Sequence, residues 1–144
     1  MLYILQTALE LGLLYAPVAL ALFLSYRILD IADLTTDGAF TLGAAVSVTV
    51  CIAGHPVLAV PAAMAAGAAA GFVTAFLQTK LGVPSILAGI VTNIGLYSVN
   101  LMVMGKSNQS LFQTDTIYTL AKGAGFAGSW YKVAVTALIV LALA

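Results

Sequence analysis

The stretch YRILDIADLTTDGAFTLGAAV, Tyr26 to Val46, places Arg27, Asp30, Asp33 and Asp37 within eleven residues and then turns wholly small and apolar. These are four of the ten charged side chains in a 144-residue chain that is 62% hydrophobic. A mean hydropathy of +1.12 and so few charges leave too little polar surface to cover a water-soluble domain, so the bilayer is the solvent to consider. In that setting a charge cluster between two apolar runs reads as a hydrated break between helices. The fold class expected is therefore an all-α, polytopic integral membrane bundle with a helix break near 27–38.

Working outward from the break, a first span runs from about Leu2 to Tyr26. It holds Pro17, which predicts a kink near mid-membrane, and Glu10, which must face a partner helix or a polar cavity. No basic residue precedes its apolar core, so it reads as a retained helix rather than a signal peptide. The second span starts near Gly38 and ends at the turn AGHP (53–56). It is short for a crossing, so part of 30–37 is expected inside the membrane boundary. The third runs from Val57 to about Gln78, and the fourth from about Pro84 to Met104. The segment 105–129 is polar, shows no strong helical period and reads as a loop. A fifth span opens at Trp130–Tyr131, an interfacial aromatic pair. It reaches Ala144 after about fourteen residues, where about 20 are wanted. The expectation is thus about four complete spans plus a truncated fifth, in one transmembrane domain over 1–144.

Three features of the spans concern packing and polarity. In PAAMAAGAAAGF (61–72), Gly67 and Gly71 form a GxxxG, marking close helix packing either within the protomer or at a dimer seam. The fourth span carries Ser85, Thr92, Asn93, Ser98 and Asn100. Asn93 and Asn100 are seven apart and share a face, so that face either bonds to neighbouring helices or lines a solute path. Asp30, Asp33 and Asp37 would share a helical face at spacings of three and four. Their mutual repulsion argues against a continuous helix there. A solvated loop, a broken helix beside a transport path, and a metal or proton site all stay open.

The chemistry of several other classes is missing from the sequence. There is one histidine, His55, beside Pro56 in a turn, and one cysteine, Cys51, which reads as a small packing residue. Neither gives a metal-ligand spacing or a catalytic set, so no catalytic site is expected and, apart from the minor alternative at the three aspartates, no metal site. No GxxxxGK phosphate loop occurs. Zero net charge gives no footprint for nucleic acid.

The run LGLLYAPVALALFLSYRILDIADLTTDGAFTLGAAV (11–46) resembles the beginning of permease subunits of bacterial ABC importers, in the branched-chain amino acid and ribose permease superfamily. The resemblance lies in the first helix, then Asp33-Leu34, Thr35, Thr36, Asp37, Gly38, Ala39 and Phe40, then an apolar helix. It is nearest to a tryptophan/tyrosine-type branch. FLQTKLGVPSILAGIVTNIGLYSVNL (76–101) is similar to the segment leading into that family's fourth helix. Such permeases are about twice as long, and their ATPase-coupling loop lies beyond the fifth helix, so the chain reads as an N-terminal part cut inside a helix.

The resemblance implies a permease subunit for a small solute, with an amino acid as one candidate, in the bacterial cytoplasmic (inner) membrane. The partners it implies are a cytoplasmic ATPase that binds the ATP, a second permease protomer in a homodimer, and an extracytoplasmic solute-binding lipoprotein. This chain would have no cofactor and no enzymatic site of its own. An external N-terminus is implied, in agreement with Arg27 and Lys80 inside, although Lys106 and Lys122 then lie outside. The implied solute path runs near Asp33, Thr35, Thr36 and Asp37 and the face bearing Asn93 and Asn100. Two other classes compete. One is a small structural or regulatory membrane protein assembling through its glycine-rich helix. The other is a proton-coupled secondary carrier using Glu10 or an aspartate.

Overall fold

The computed structural model describes residues 1–28, 30, 33–112, 114–124 and 131–143. They form six helices: α1 (Leu2–Ile28), α2 (Thr36–Ile52), α3 (Pro56–Lys80), α4 (Ser85–Met104), α5 (Ile117–Gly123) and α6 (Tyr131–Leu143). Three of them, α1, α3 and α4, are long and apolar enough to cross a membrane. The 17 residues of α2 rise only about 26 Å, short of a hydrocarbon core of about 30 Å.

The helix ends follow from local chemistry. Gly54, at φ 87°, closes α2 with both bonds of a Schellman motif. His55 N–H donates to Val50 O at 3.3 Å and Gly54 N–H to Cys51 O at 3.0 Å. Pro56 then opens α3 at a position whose N–H would be unsatisfied anyway. His55 is exposed in this turn and Cys51 is buried, as the sequence suggests. Gly105, at φ 64°, ends α4 and donates its N–H to Leu101 O at 2.9 Å. The break at 27–38 is also present. Helix α1 stops at Ile28, Asp30 takes φ 52°, and α2 begins only at Thr36. Aspartate tolerates that left-handed backbone better than most residues. Pro17 lies within α1, which stays a single element around it.

The polar segment after α4 contains an element that its sequence period does not reveal. Residues 117–123 form α5, whose start is fixed by Thr116 N–H donating to Thr119 Oγ1 at 2.7 Å. Two turns are too short to register as a 3.6-residue period, and the signal here is the hydroxyl pair. Trp130, expected at the start of the fifth span, lies outside the described residues.

Helix α2 packs between α3 and α4. It runs antiparallel to α3, with Thr35 beside Thr74 and Gly43 beside Ala63, and parallel to α4, with Gly38 beside Asn93 and Thr49 beside Val103. Leu42, Ala70 and Leu96 form the buried centre, flanked by Ala39, Val46 and Ala66. Such small residues allow close approach where lipid offers no hydrophobic drive between helices. Large apolar side chains such as Phe72, Ile94 and Met102 point outward, the arrangement a hydrocarbon solvent favours. A second layer pairs α6 with α1 and with α5. It meets the first through Tyr15 and Phe40, whose rings lie 5.6 Å apart. Glu10 borders a cleft in this second layer that also holds Thr116, Tyr118, Thr119, Lys132 and Thr136, so the acid inside an apolar helix has polar side chains near it.

The close packing expected at Gly67 and Gly71 falls elsewhere within the protomer. A Cβ at either would meet nothing within 4 Å, whereas Gly38, Gly43 and Gly89 each have a neighbouring helix or loop against them. The GxxxG face of α3 looks away from α2 and α4 at these two positions.

Candidate functional site

The break between α1 and α2 is built into the bundle. Thr35, the residue before α2, is only 2% exposed, and its hydroxyl lies 3.0 Å from that of Thr74 on α3. Thr74 is six residues before Lys80, which puts this contact about 9 Å inside the end of α3. Non-helical backbone therefore sits within the depth of the bundle, where it needs protein or water around it.

Its own side chains supply part of that environment. Thr35 N–H donates to Asp33 Oδ1 at 2.9 Å, and Thr36 Oγ1–H donates to Asp33 O at 3.3 Å. The aspartate thus caps the turn that starts α2, the kind of local bond that lets Asp compete with helix. Asp33 and Thr36 are half-buried and Asp37 is exposed. Asp37 stands in the first turn of α2, where the helix dipole favours an acid.

Helix α4 closes the other side. Gly89 lies against Leu34, and a Cβ there would come within 3.1 Å of Leu34 Cβ and 3.2 Å of Leu34 N. One turn on, Gly38 lies against Asn93. A Cβ on Gly38 would overlap Asn93 Oδ1 and reach 3.1 Å from Leu96 Cδ1. Glycine at 38 and 89 is what lets the broken segment and α4 touch. Between these contacts stands Thr92, buried, with its hydroxyl oxygen unpaired among the described residues.

Asp33, Thr35, Thr36 and Asn93 are thus brought together around the start of α2, with Asp37 exposed at the rim. Asn100 is apart from them, about 10 Å further along α4 from Asn93. It too is buried, with Oδ1 lacking a partner among the described residues. Sequence reasoning passed over Thr74 and Gly89. Thr74 was visible as the hydroxyl in an alanine- and glycine-rich helix. Gly89 had no distinguishing signal, because its partner Leu34 is 55 residues away in the chain. Among the described residues there is no group of three or more His, Cys, Asp or Glu able to hold a metal ion. The acids of the break instead serve the turn and the rim.

The arrangement gathers hydroxyls, a carboxylate and an amide at a discontinuity in a membrane-type bundle. Residues 4–144 match the family described as branched-chain amino acid transport system / permease component. The chain is 40% identical over 119 residues to an uncharacterized protein of Rickettsia prowazekii, covering 81% of this chain and 41% of the relative. It is also 40% identical over 108 residues to the tyrosine transport system permease protein of Clostridioides difficile, covering 74% of this chain and 37% of that one. The chain thus spans about two fifths of the length of these curated relatives. No solved structure matches it significantly. With the family matched over nearly its whole length, this multi-pass, all-helical chain belongs to the branched-chain amino acid transport permease family.

Proposed function

We propose that the chain is the N-terminal part of the permease subunit of a binding-protein-dependent ABC importer that carries an amino acid, an aromatic one by analogy with the tyrosine transport relative, across the bacterial cytoplasmic membrane. The permease pairs with a second copy of itself, takes its energy from a cytoplasmic ATPase, and receives solute from an extracytoplasmic binding lipoprotein. Its N-terminus is outside, with Arg27 and Lys80 inside. The chain itself binds no ATP and catalyses no reaction.

The observation that carries this reading beyond family membership is the position of the break. Thr35, in the non-helical segment before α2, lies at bundle depth against Thr74, and Gly38, in the first turn of α2, lies against Asn93. Thr92 and Asn100 present buried oxygens along α4 that have no partner among the described residues. Leaving such oxygens unpaired costs about 1–3 kcal/mol each, a cost removed when water or a polar solute meets them. Discontinuous helices with free polar groups are how membrane transport proteins hold polar cargo.

The test is uptake of radiolabelled L-tyrosine by cells expressing the full-length permease with its ATPase and binding protein. Asp33→Ala and Asp37→Ala are expected to lower uptake while the complex still assembles. Uptake that persists after ATP depletion and stops on collapse of the proton gradient would instead establish a secondary carrier, for which Glu10 in its cleft is the natural coupling residue. Unchanged uptake in both aspartate variants would remove the break from the solute path.

A further inference from the structure

The cleft between α1, α5 and α6 has a volume of about 380 Å³, at the small end of the range of about 300–1,000 Å³ typical of small-molecule sites. Its lining is largely apolar surface, with Leu14 and Glu10 from α1, Thr116, Tyr118 and Thr119 from α5 and its cap, and Lys132 and Thr136 from α6. Glu10 is the single glutamate in the chain. From Glu10 to Arg27, α1 rises about 26 Å, so this cleft is near the opposite end of the bundle from the break at 30–35.

Accounting for the hydroxyl protons shows which groups are free to meet a ligand. Thr136 Oγ1–H donates to Lys132 O at 2.8 Å. The 2.8 Å contact between Tyr118 and Thr136 therefore uses the Tyr118 proton, and Thr136 accepts it. Thr119 Oγ1–H donates to Thr116 O at 2.7 Å while accepting Thr116 N–H at 2.7 Å. Thr119 and Thr136 are thus committed to holding α5 and α6 in shape. Tyr118 Oη keeps its lone pairs as acceptors, in a cleft lining that also includes Glu10. Lys132 supplies up to three N–H donors. Among the described residues neither Glu10 nor Lys132 is in an ion pair, although both border one small cleft.

A cleft offering acceptors on α1 and α5 and a cationic donor on α6, with no net charge, complements a molecule that carries one ammonium and one carboxylate. We propose that this cleft is a second binding site, at the end of the permease remote from the break, for a zwitterionic α-amino acid. Glu10 and Tyr118 Oη take the ammonium and Lys132 takes the carboxylate. The ligand class rests on the import reading above, while the site rests on the cleft alone. A zwitterion gives the half-buried Glu10 and the exposed Lys132 a counter-charge each, through charge-assisted hydrogen bonds.

The experiment uses the full-length permease assembled with its ATPase in nanodiscs and measures equilibrium binding of three probes. These are L-tyrosine, tyramine (no carboxylate) and 3-(4-hydroxyphenyl)propanoate (no ammonium). L-tyrosine is expected to bind about tenfold or more tighter than either analogue, since each charged hydrogen-bonded contact is worth about that factor. Glu10→Gln should weaken L-tyrosine and tyramine about tenfold and leave the propanoate unchanged. Lys132→Gln should weaken L-tyrosine and the propanoate and leave tyramine unchanged. Wild-type affinity for all three probes in both variants would overturn the assignment. A parallel loss of all three would overturn it too, in favour of a structural role for the two charges. If L-tyrosine uptake proceeds normally while either result is obtained, the cleft proposal alone falls. If the wild-type complex takes up no amino acid, the import reading falls first.

Discussion

The hydroxyl pair that joins the break to α3 makes an asymmetric prediction. Thr74 Oγ1–H donates to Ala70 O at 3.3 Å, so its single proton is committed and the 3.0 Å contact with Thr35 is donated by Thr35. Replacing Thr35 by valine removes that donor. Thr74 keeps its bond to Ala70, and the loss is one net hydrogen bond, about 0.5–1 kcal/mol, near the average found between membrane helices. Replacing Thr74 by valine strands the Thr35 proton at a residue only 2% exposed. The cost is then that of an unsatisfied buried donor, about 1–3 kcal/mol. In the double variant both groups are apolar and neither is stranded, so it should be more stable than Thr74→Val alone. The assay is a double-mutant cycle by SDS titration of the full-length permease from bicelles, with the midpoint and slope fitted for all four proteins. Two results would refute the reasoning: Thr35→Val costing as much as Thr74→Val or more, or a double variant no better than the sum of the singles. Either would mean the threonines do not share this bond in the membrane.

The other contacts make predictions of their own. Gly89→Val should destabilise the same protein by about 2 kcal/mol or more, because the backbone of Leu34 blocks the added atoms. Gly95→Val, on the same helix with nothing within 4 Å, should stay within about 0.5 kcal/mol. Both are read by the same titration, and equal effects would contradict the α4 contact. Gly71→Ala, facing open space within the protomer, should leave protomer stability unchanged or raise it by up to about 1 kcal/mol through helix propensity. Gly71→Ile should weaken cysteine cross-linking between two permease copies if the α3 face packs on a second protomer. Unchanged cross-linking would assign that face to lipid.

Much of the architecture was set by local sequence. Bilayer spans are specified by runs of apolar residues, because every backbone polar group in hydrocarbon must be satisfied within the helix itself. The extents of α1, α3 and α4 follow from Leu2, Pro56 and Pro84 and from the apolar stretches after them. Repulsion among Asp30, Asp33 and Asp37, and their capacity for local backbone bonds, likewise determined that the chain breaks between α1 and α2. The helix α5 escaped because seven residues carry no measurable period, and a threonine pair rather than an amphipathic pattern fixes its start.

Only the tertiary structure decided which residues meet. Two small residues spaced four apart are competent to pack, but nothing local says whether another helix arrives. So Gly67 and Gly71 face open space, while Gly38 and Gly89 take the contacts with Asn93 and Leu34. The polar residues of α4 divide the same way: Asn93 joins the break, and Asn100 lies two turns beyond it. Glu10 needed a polar neighbour on energetic grounds alone. That the neighbours are Lys132 and Tyr118, more than a hundred residues away, depends on how α1 lies against α6. That placement belongs to the packed bundle, because a membrane helix offers lipid and protein the same apolar surface and its partner is selected by shape.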